Sequence, residues 1–241
     1  MRVARARENS PAGGEELLVE LGLSAEMRID RSSTAERVAD VLRELIIRGD
    51  LPAGTPLREQ QLVVSLDVSR NTLREAFRLL GRERLVAYTL HRGVAVREVD
   101  ESDVHDLYRT REPLELMAVE YSSQAPREAI EGLLRLVEAA EQAVKDENWK
   151  EVATLNIAFH QHLVELIGSE RITNFFRVID AELRLAFAKV AHAPDFFRPF
   201  VPRNRAIAEL LLAGDRRAAA AELKAYLAEA ERMIGAGVSA T

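Results

Sequence analysis

Within the stretch Ser69 to Leu80, Arg70, Asn71, Arg74 and Arg78 recur at near-helical spacing. At about 100° per residue their side chains share one face, while Leu73, Ala76, Phe77 and Leu80 fall on the other. Guanidinium forks bind phosphate oxygens and the acceptor edge of guanine, and a carboxamide matches the edge of adenine. A helix docked by its apolar stripe and offering this opposite face has the chemistry to read the major groove of DNA.

Such a helix needs neighbours to hold it, and the flanking sequence supplies them. Glu59 to Leu66 carries a short helical pattern in Leu62, Val63 and Leu66, and Asp67-Val68-Ser69 leaves room only for a tight turn, with Ser69 able to cap the next helix. Two short helices across such a turn predict a helix-turn-helix. Upstream, Ser33-Thr34-Ala35-Glu36 reads as a capping box opening a helix with Val38, Val41, Leu42, Leu45 and Ile46 inward, and Gly49 stands where that helix needs a positive φ to end. Downstream, Leu85 to Tyr88 and Val94 to Val99 read as two strands joined by a turn at Thr89 to Gly93, a hairpin with Arg92-Gly93 at its tip. Residues 31–99 are thus expected to form an α+β winged helix-turn-helix, and residues 1–30 an arm without a fixed role.

The whole chain of 241 residues carries a formal charge of −6, which would disfavour a nucleic-acid partner if it were spread evenly. It is not. Residues 31–98 hold 12 Lys and Arg against 9 Asp and Glu, a balance of +3, whereas residues 99–241 hold 17 against 24. A balance as modest as +3 requires placed arginines and a doubled module, so a homodimer on palindromic double-stranded DNA is expected. The chain has no cysteine, which excludes disulfides and thiolate metal sites. No apolar run reaches the roughly 18 residues of a membrane span, and a cytoplasmic location is expected.

From Asp100 onward only helical periodicity remains. Pro126, Asp146-Glu147-Asn148, Gly168-Ser169, Ala193-Pro194 and Ala213-Gly214-Asp215 punctuate the segment into about six helices of roughly 15 to 25 residues, an all-α antiparallel bundle over 100–241. Pro113 should kink or break the first of them. Short connections pack successive helices together and leave the bundle centre as the natural small-molecule site.

Residues 33 to 99 resemble the winged helix-turn-helix of GntR-family transcriptional regulators, through Leu-Pro-Ala-Gly at 51 to 54, Glu59 with Leu62, Val-Ser-Arg at 68 to 70, Leu-Arg-Glu-Ala at 73 to 76, and Arg92-Gly93. The resemblance implies that Arg70 and Arg74 meet base edges or adjacent phosphates. It implies that Ser69, Asn71, Thr72, Arg92 and Gly93 set the register on the backbone and in the neighbouring minor groove. Gln60 stands where some members place a DNA-contacting arginine, with Arg58 nearby as a substitute, and Asp67 replaces a turn glycine.

The second half is similar to the helical effector domain of the FadR subfamily, the type called FCD, through Arg111-Glu112-Pro113-Leu114-Glu115, Phe159-His160 with Leu163 and Gly168, and Ile207 with Ala213-Gly214-Asp215. In that subfamily an aspartate and three histidines usually hold a divalent metal. Of the four corresponding positions here, Asn156, His160, Asn204 and Tyr226, only His160 is such a ligand. Amide oxygens and a phenol are poor donors for zinc-like ions, so neither metal nor cofactor is expected. Asn156 and His160 still lie one turn apart, and the resemblance brings in Asn204 and Tyr226 as hydrogen-bonding groups, with Arg111 as the one fixed charge for an anionic effector such as a carboxylate. His105, His162 and His192 show no such spacing logic.

Enzyme signatures are missing: no histidine has a glutamate three positions before it, and there is no Gly-rich phosphate loop, Gly-x-Ser-x-Gly or His-Glu-x-x-His. Two functions follow from the residues. One is a transcriptional repressor whose operator affinity responds to a small metabolite bound in the bundle. The other is an effector-independent architectural protein whose helical part only dimerises. A shielded polar pocket lined by Arg111, Asn156, His160, Asn204 and Tyr226 favours the first; a packed apolar centre favours the second.

Overall fold

The computed structural model describes residues 34–89, 93–187 and 193–239. The N-terminal arm, Ser33 of the expected capping box, His192 and the hairpin residues Leu90, His91 and Arg92 lie outside the described residues.

The first half runs α1 (Thr34–Ile47), β1 (Pro56–Leu57), α2 (Glu59–Leu66), α3 (Arg70–Arg82), β2 (Val86–Thr89) and β3 (Gly93–Val96). Leu42 and Ile46 of α1 meet Leu73, Phe77 and Leu80 of α3, all at most 1% exposed. Gly49 ends α1 at φ +72, with its N–H on Ile46 O at 2.8 Å and that of Asp50 on Leu45 O at 2.8 Å. The turn that lacks a glycine is accommodated without one: Asp67 adopts the left-handed conformation at φ 50, ψ 52, which short polar side chains tolerate, and its N–H reaches Val63 O.

The three strands form an antiparallel sheet in the order β1-β3-β2, with Val86 opposite Val96, Tyr88 opposite Val94, and Leu57 opposite Val94 on the other edge. Of the hairpin strands, β2 has the expected four residues, one position later, and β3 is shorter than expected. β3 stops at Val96 because Arg97 and Asp100 turn to the helical domain. The third strand, β1, has only two residues and left no periodicity to detect.

The second half comprises α4 (Glu101–Tyr121), α5 (Arg127–Lys145), α6 (Trp149–Glu165), α7 (Glu170–Phe187), α8 (Ala193–Phe197), α9 (Phe200–Leu212) and α10 (Arg216–Ser239). Ala193-Pro194, expected as a break, instead opens the five-residue α8. Pro113 does not break α4, which runs unbroken for 21 residues. α4 packs against α6, α7 and α10, and this burial outweighs the one backbone hydrogen bond that proline removes.

The two halves share one apolar core and are clasped by charge. Asp103, 4% exposed, closes a capping box with Asp100 at the start of α4 and accepts from Arg84 at 2.6 Å and Arg97 at 2.5 Å. Arg97 also faces Glu182 of α7 at 3.6 Å. Elsewhere along α7, Arg177 faces Glu44 of α1 at 3.6 Å and Arg184 donates to Arg48 O at 3.3 Å. Between the halves lies a cleft of about 220 Å³ whose lining includes Ile46, Leu51, Trp149, Arg184, Phe187 and Phe197.

Burial pushes the Glu182 carboxyl up to about 7, aided by Asp103 and Asp106 and opposed by Arg84 and Arg97. An acid whose pKa rises on folding holds its proton more tightly when folded, so its contribution is intact near pH 4.5 and declines as pH climbs towards 7. Glu182→Gln should therefore gain melting temperature relative to the wild type between pH 5 and pH 8. A constant difference across that range would contradict the burial of Glu182 in this joint.

Candidate functional site

The reading face of α3 is built as its sequence dictates. Ser69 caps the helix by accepting from the Thr72 N–H at 3.1 Å, and its hydroxyl lies 2.8 Å from that of Thr72. These two residues therefore hold the helix start, and half-buried Thr72 is less available to DNA than its neighbours. Arg58, Arg70, Asn71, Arg74 and Arg78 are exposed. Arg74 is tethered to Glu59 of α2 at 3.1 Å, and Arg78 to Glu75. Exposed pairs of this kind contribute little stability. Glu59 instead orients the Arg74 guanidinium. Gly93, exposed at φ +82, lies at the start of β3, where a side chain would strain the turn.

The bundle centre is polar. Arg111 and Glu115 of α4, one turn apart, pair at 2.8 Å while only 1% and 0% exposed. The other Glu115 oxygen lies 2.6 Å from Nδ1 of His160 on α6. The Tyr226 ring on α10 stands 4.9 Å from the His160 ring, and its hydroxyl accepts from the Asn156 amide at 2.7 Å. Phe200 of α9 packs on Tyr226 at 4.6 Å, and Asn204 follows it by one turn, itself 4% exposed. Four of the five expected residues, Arg111, Asn156, His160 and Tyr226, are thus brought together, and Asn204 is buried on the adjoining face of α9.

Electrostatics fix their states. Burial raises the Glu115 carboxyl, but Arg111 and His160 outweigh it and hold the pKa below its ordinary value, so Glu115 is ionised. Burial lowers His160 against the pull of Glu115, which leaves the imidazole neutral, with its proton on Nδ1 facing the carboxylate and a lone pair on Nε2. Tyr226 is raised by burial and stays a phenol. Arg111 is therefore not a free charge for an anionic effector: Glu115 already neutralises it. That role of Glu115 was written in the Arg-x-x-x-Glu spacing, which places the pair on one helical face.

Asp180 of α7 is the second residue absent from the expected set. It is 0% exposed, neither carboxylate oxygen has a hydrogen-bond partner, and burial raises its pKa well above the ordinary value, against the field of Arg111. Its signal was positional, an acid on the stripe Phe176, Ile179, Asp180 and Leu183.

The donors do not suit a divalent metal. Asn156 and Tyr226 are engaged with each other, Tyr226 is neutral, and among the described residues no group of three His, Asp or Glu converges in a metal-holding arrangement. Among the same residues, no helix is long and apolar enough to cross a membrane.

Comparison with known proteins agrees with this architecture. Residues 34–96 match the family described as bacterial regulatory proteins, gntR family, and residues 106–229 match the FCD domain. The chain is 30% identical over 141 residues to the uncharacterized HTH-type transcriptional regulator YdhC of Bacillus subtilis, a match spanning 58% of this chain and 63% of that protein, just under two thirds. It is 26% identical over 188 residues to the probable D-xylose utilization operon transcriptional repressor of Paenarthrobacter nicotinovorans, covering 78% of this chain and 83% of the relative. A structural-genomics crystal structure of a GntR transcriptional regulator from Rhodococcus sp. RHA1 superposes with a TM-score of 0.76 at 37% identity, over 84% of this chain and 97% of that one. With a winged helix matching one model and just over half of its length matching the other, the chain belongs to the GntR family of bacterial regulatory proteins and is a DNA-binding transcriptional regulator with an FCD domain, not an enzyme.

Proposed function

We propose that this regulator is a homodimeric repressor that binds a palindromic operator through α3 and releases it when a small molecule occupies the polar centre of the helical domain. The observation that carries this reading is the position of α7. One helix holds Asp180 against the buried cluster and sends Arg177, Glu182 and Arg184 to the DNA-binding half. A ligand that moves α7 must change the contacts that orient the reading helix. The five groups proposed as ligand contacts are Arg111, Asn156, His160, Asn204 and Tyr226. The architectural alternative is disfavoured by the cost of burying so many polar groups in a domain that only dimerises.

Trp149, the only tryptophan of the chain, lines the interdomain cleft and reports on the joint. A thermal-shift screen of sugars, polyols, sugar acids, amino acids and amines should yield a compound that raises the melting temperature by mass action, shifts Trp149 emission and weakens binding to an isolated operator. A stabilising compound that leaves operator affinity unchanged would contradict the reading.

The site is proposed to work without metal. Protein purified without chelator should carry well under one equivalent of zinc, nickel or manganese, whereas the triple change Asn156→Asp, Asn204→His, Tyr226→His should gain a metal-dependent rise in melting temperature. A folded triple variant indifferent to metal would mean that the four positions do not converge.

A further inference from the structure

We propose that the ligand of the buried cluster is an uncharged polyol and not a carboxylate, and that Asp180 is the residue that selects it. The inference rests on the reading of this cluster as the effector site and assigns the chemistry of what enters. Five atoms of the cluster's residues are sealed from solvent and have no hydrogen-bond partner: Nη2 of Arg111, Nε2 of His160, Oδ1 of Asn204 and both oxygens of Asp180. The residues that carry them are each at most 4% exposed. A buried polar atom without a partner is rare, and here several occur together, two of their residues, His160 and Asp180, lying within the field of the Arg111 guanidinium.

Their chemistry is lopsided. His160 keeps its proton on Nδ1 for Glu115, so Nε2 is an acceptor, and Asn204 Oδ1 and the carbonyl oxygen of the Asp180 carboxyl are acceptors too. The open donors are Arg111 Nη2, on a guanidinium whose charge Glu115 already balances, and the O–H of Asp180 in the protonated form that burial favours. A carboxylate brings only acceptors, so it would leave His160 Nε2 and Asn204 Oδ1 unanswered and bury a charge that no net positive charge balances. An ammonium brings only donors, leaves Arg111 Nη2 unanswered and lies beside a fixed cation. A chain of hydroxyls answers every atom, because each hydroxyl can donate to Asp180, His160 or Asn204 and another can accept from Arg111. A polyol is also uncharged, as is the cluster once burial has kept the proton on Asp180.

The test uses full-length protein and matched compounds differing only in terminal oxidation, xylitol with xylonate and D-glucitol with D-gluconate, together with putrescine as an amine. At concentrations up to about 20 mM the polyols should raise the melting temperature saturably and the acids should not. Asp180→Leu, which replaces the unpartnered carboxyl with an apolar group of similar size, should fold with an unchanged or higher melting temperature and bind the polyol at least about tenfold more weakly. Asp180→Asn, which keeps a donor and an acceptor, should retain most of the affinity and provides the comparison if the leucine variant fails to fold. Stabilisation by the acids or putrescine but not the polyols would overturn this inference and leave the effector reading standing. Polyol binding unchanged in both folded variants would remove Asp180 from the site. If no polyol binds, the inference fails; if the broader screen then yields no ligand of any class, the effector reading fails with it.

Discussion

Glu115→Gln should destabilise the protein by about 3 to 5 kcal/mol, because it leaves the Arg111 cation buried with no compensating charge. For a domain of this size that corresponds to roughly 6 to 20 °C in melting temperature. His160 worsens the outcome: its Nδ1–H loses an ionised acceptor that draws it to 2.6 Å. The double change Arg111→Met with Glu115→Leu should behave oppositely. Replacing a complete buried ion pair by apolar groups is often neutral or stabilising, so the double variant should melt within a few degrees of the wild type. If the pair exists to build a ligand site, that variant will fold well and bind no ligand. Equal melting temperatures for Glu115→Gln and the wild type would mean that the pair is not formed in solution.

The second large effect is on DNA. Arg70→Ala should weaken binding to the operator by about 5- to 150-fold per site if the guanidinium meets a base edge, and should relax sequence preference at that base. Arg74→Ala should weaken it as well, but with a distinguishing sign in its neighbour. Glu59 competes with DNA for Arg74 in the free protein, so Glu59→Gln should strengthen binding modestly instead of weakening it. If Glu59→Gln weakens binding as much as Arg74→Ala does, the pair is needed intact and the release of Arg74 is wrong.

Legibility of the sequence followed the range of the interactions involved. Most of what is set within a turn or two of chain was readable: the apolar stripe of α3, the Ser69 cap, the positive φ of Gly49, and the helices of the bundle with most of their stops, whereas Val41, expected inward on α1, is exposed. The two-residue β1 was hidden because its register depends on β3, nearly forty residues later. Helix α8 was hidden because five residues carry no period, and Pro113 does not end its helix because packing on three helices outweighs a local penalty. In the polar centre, Arg111, Asn156, His160 and Tyr226 were found through family resemblance. Arg111, which the sequence offers as the one fixed charge, is paired in the structure with Glu115 one turn away. Asp180 was passed over because an acid on an apolar stripe is visible only to a reader who already expects that stripe to be buried.

The central claim is that two copies of the α3 face, led by Arg70, read one palindromic duplex. It is tested most directly by selecting binding sites from a random-sequence duplex pool with the full-length protein and with Arg70→Ala in parallel. The wild type should enrich one inverted repeat, bound by two chains per duplex, and the variant should lose that enrichment while keeping its fold. Enrichment of the same repeat by both proteins, or of none by the wild type, would contradict the account.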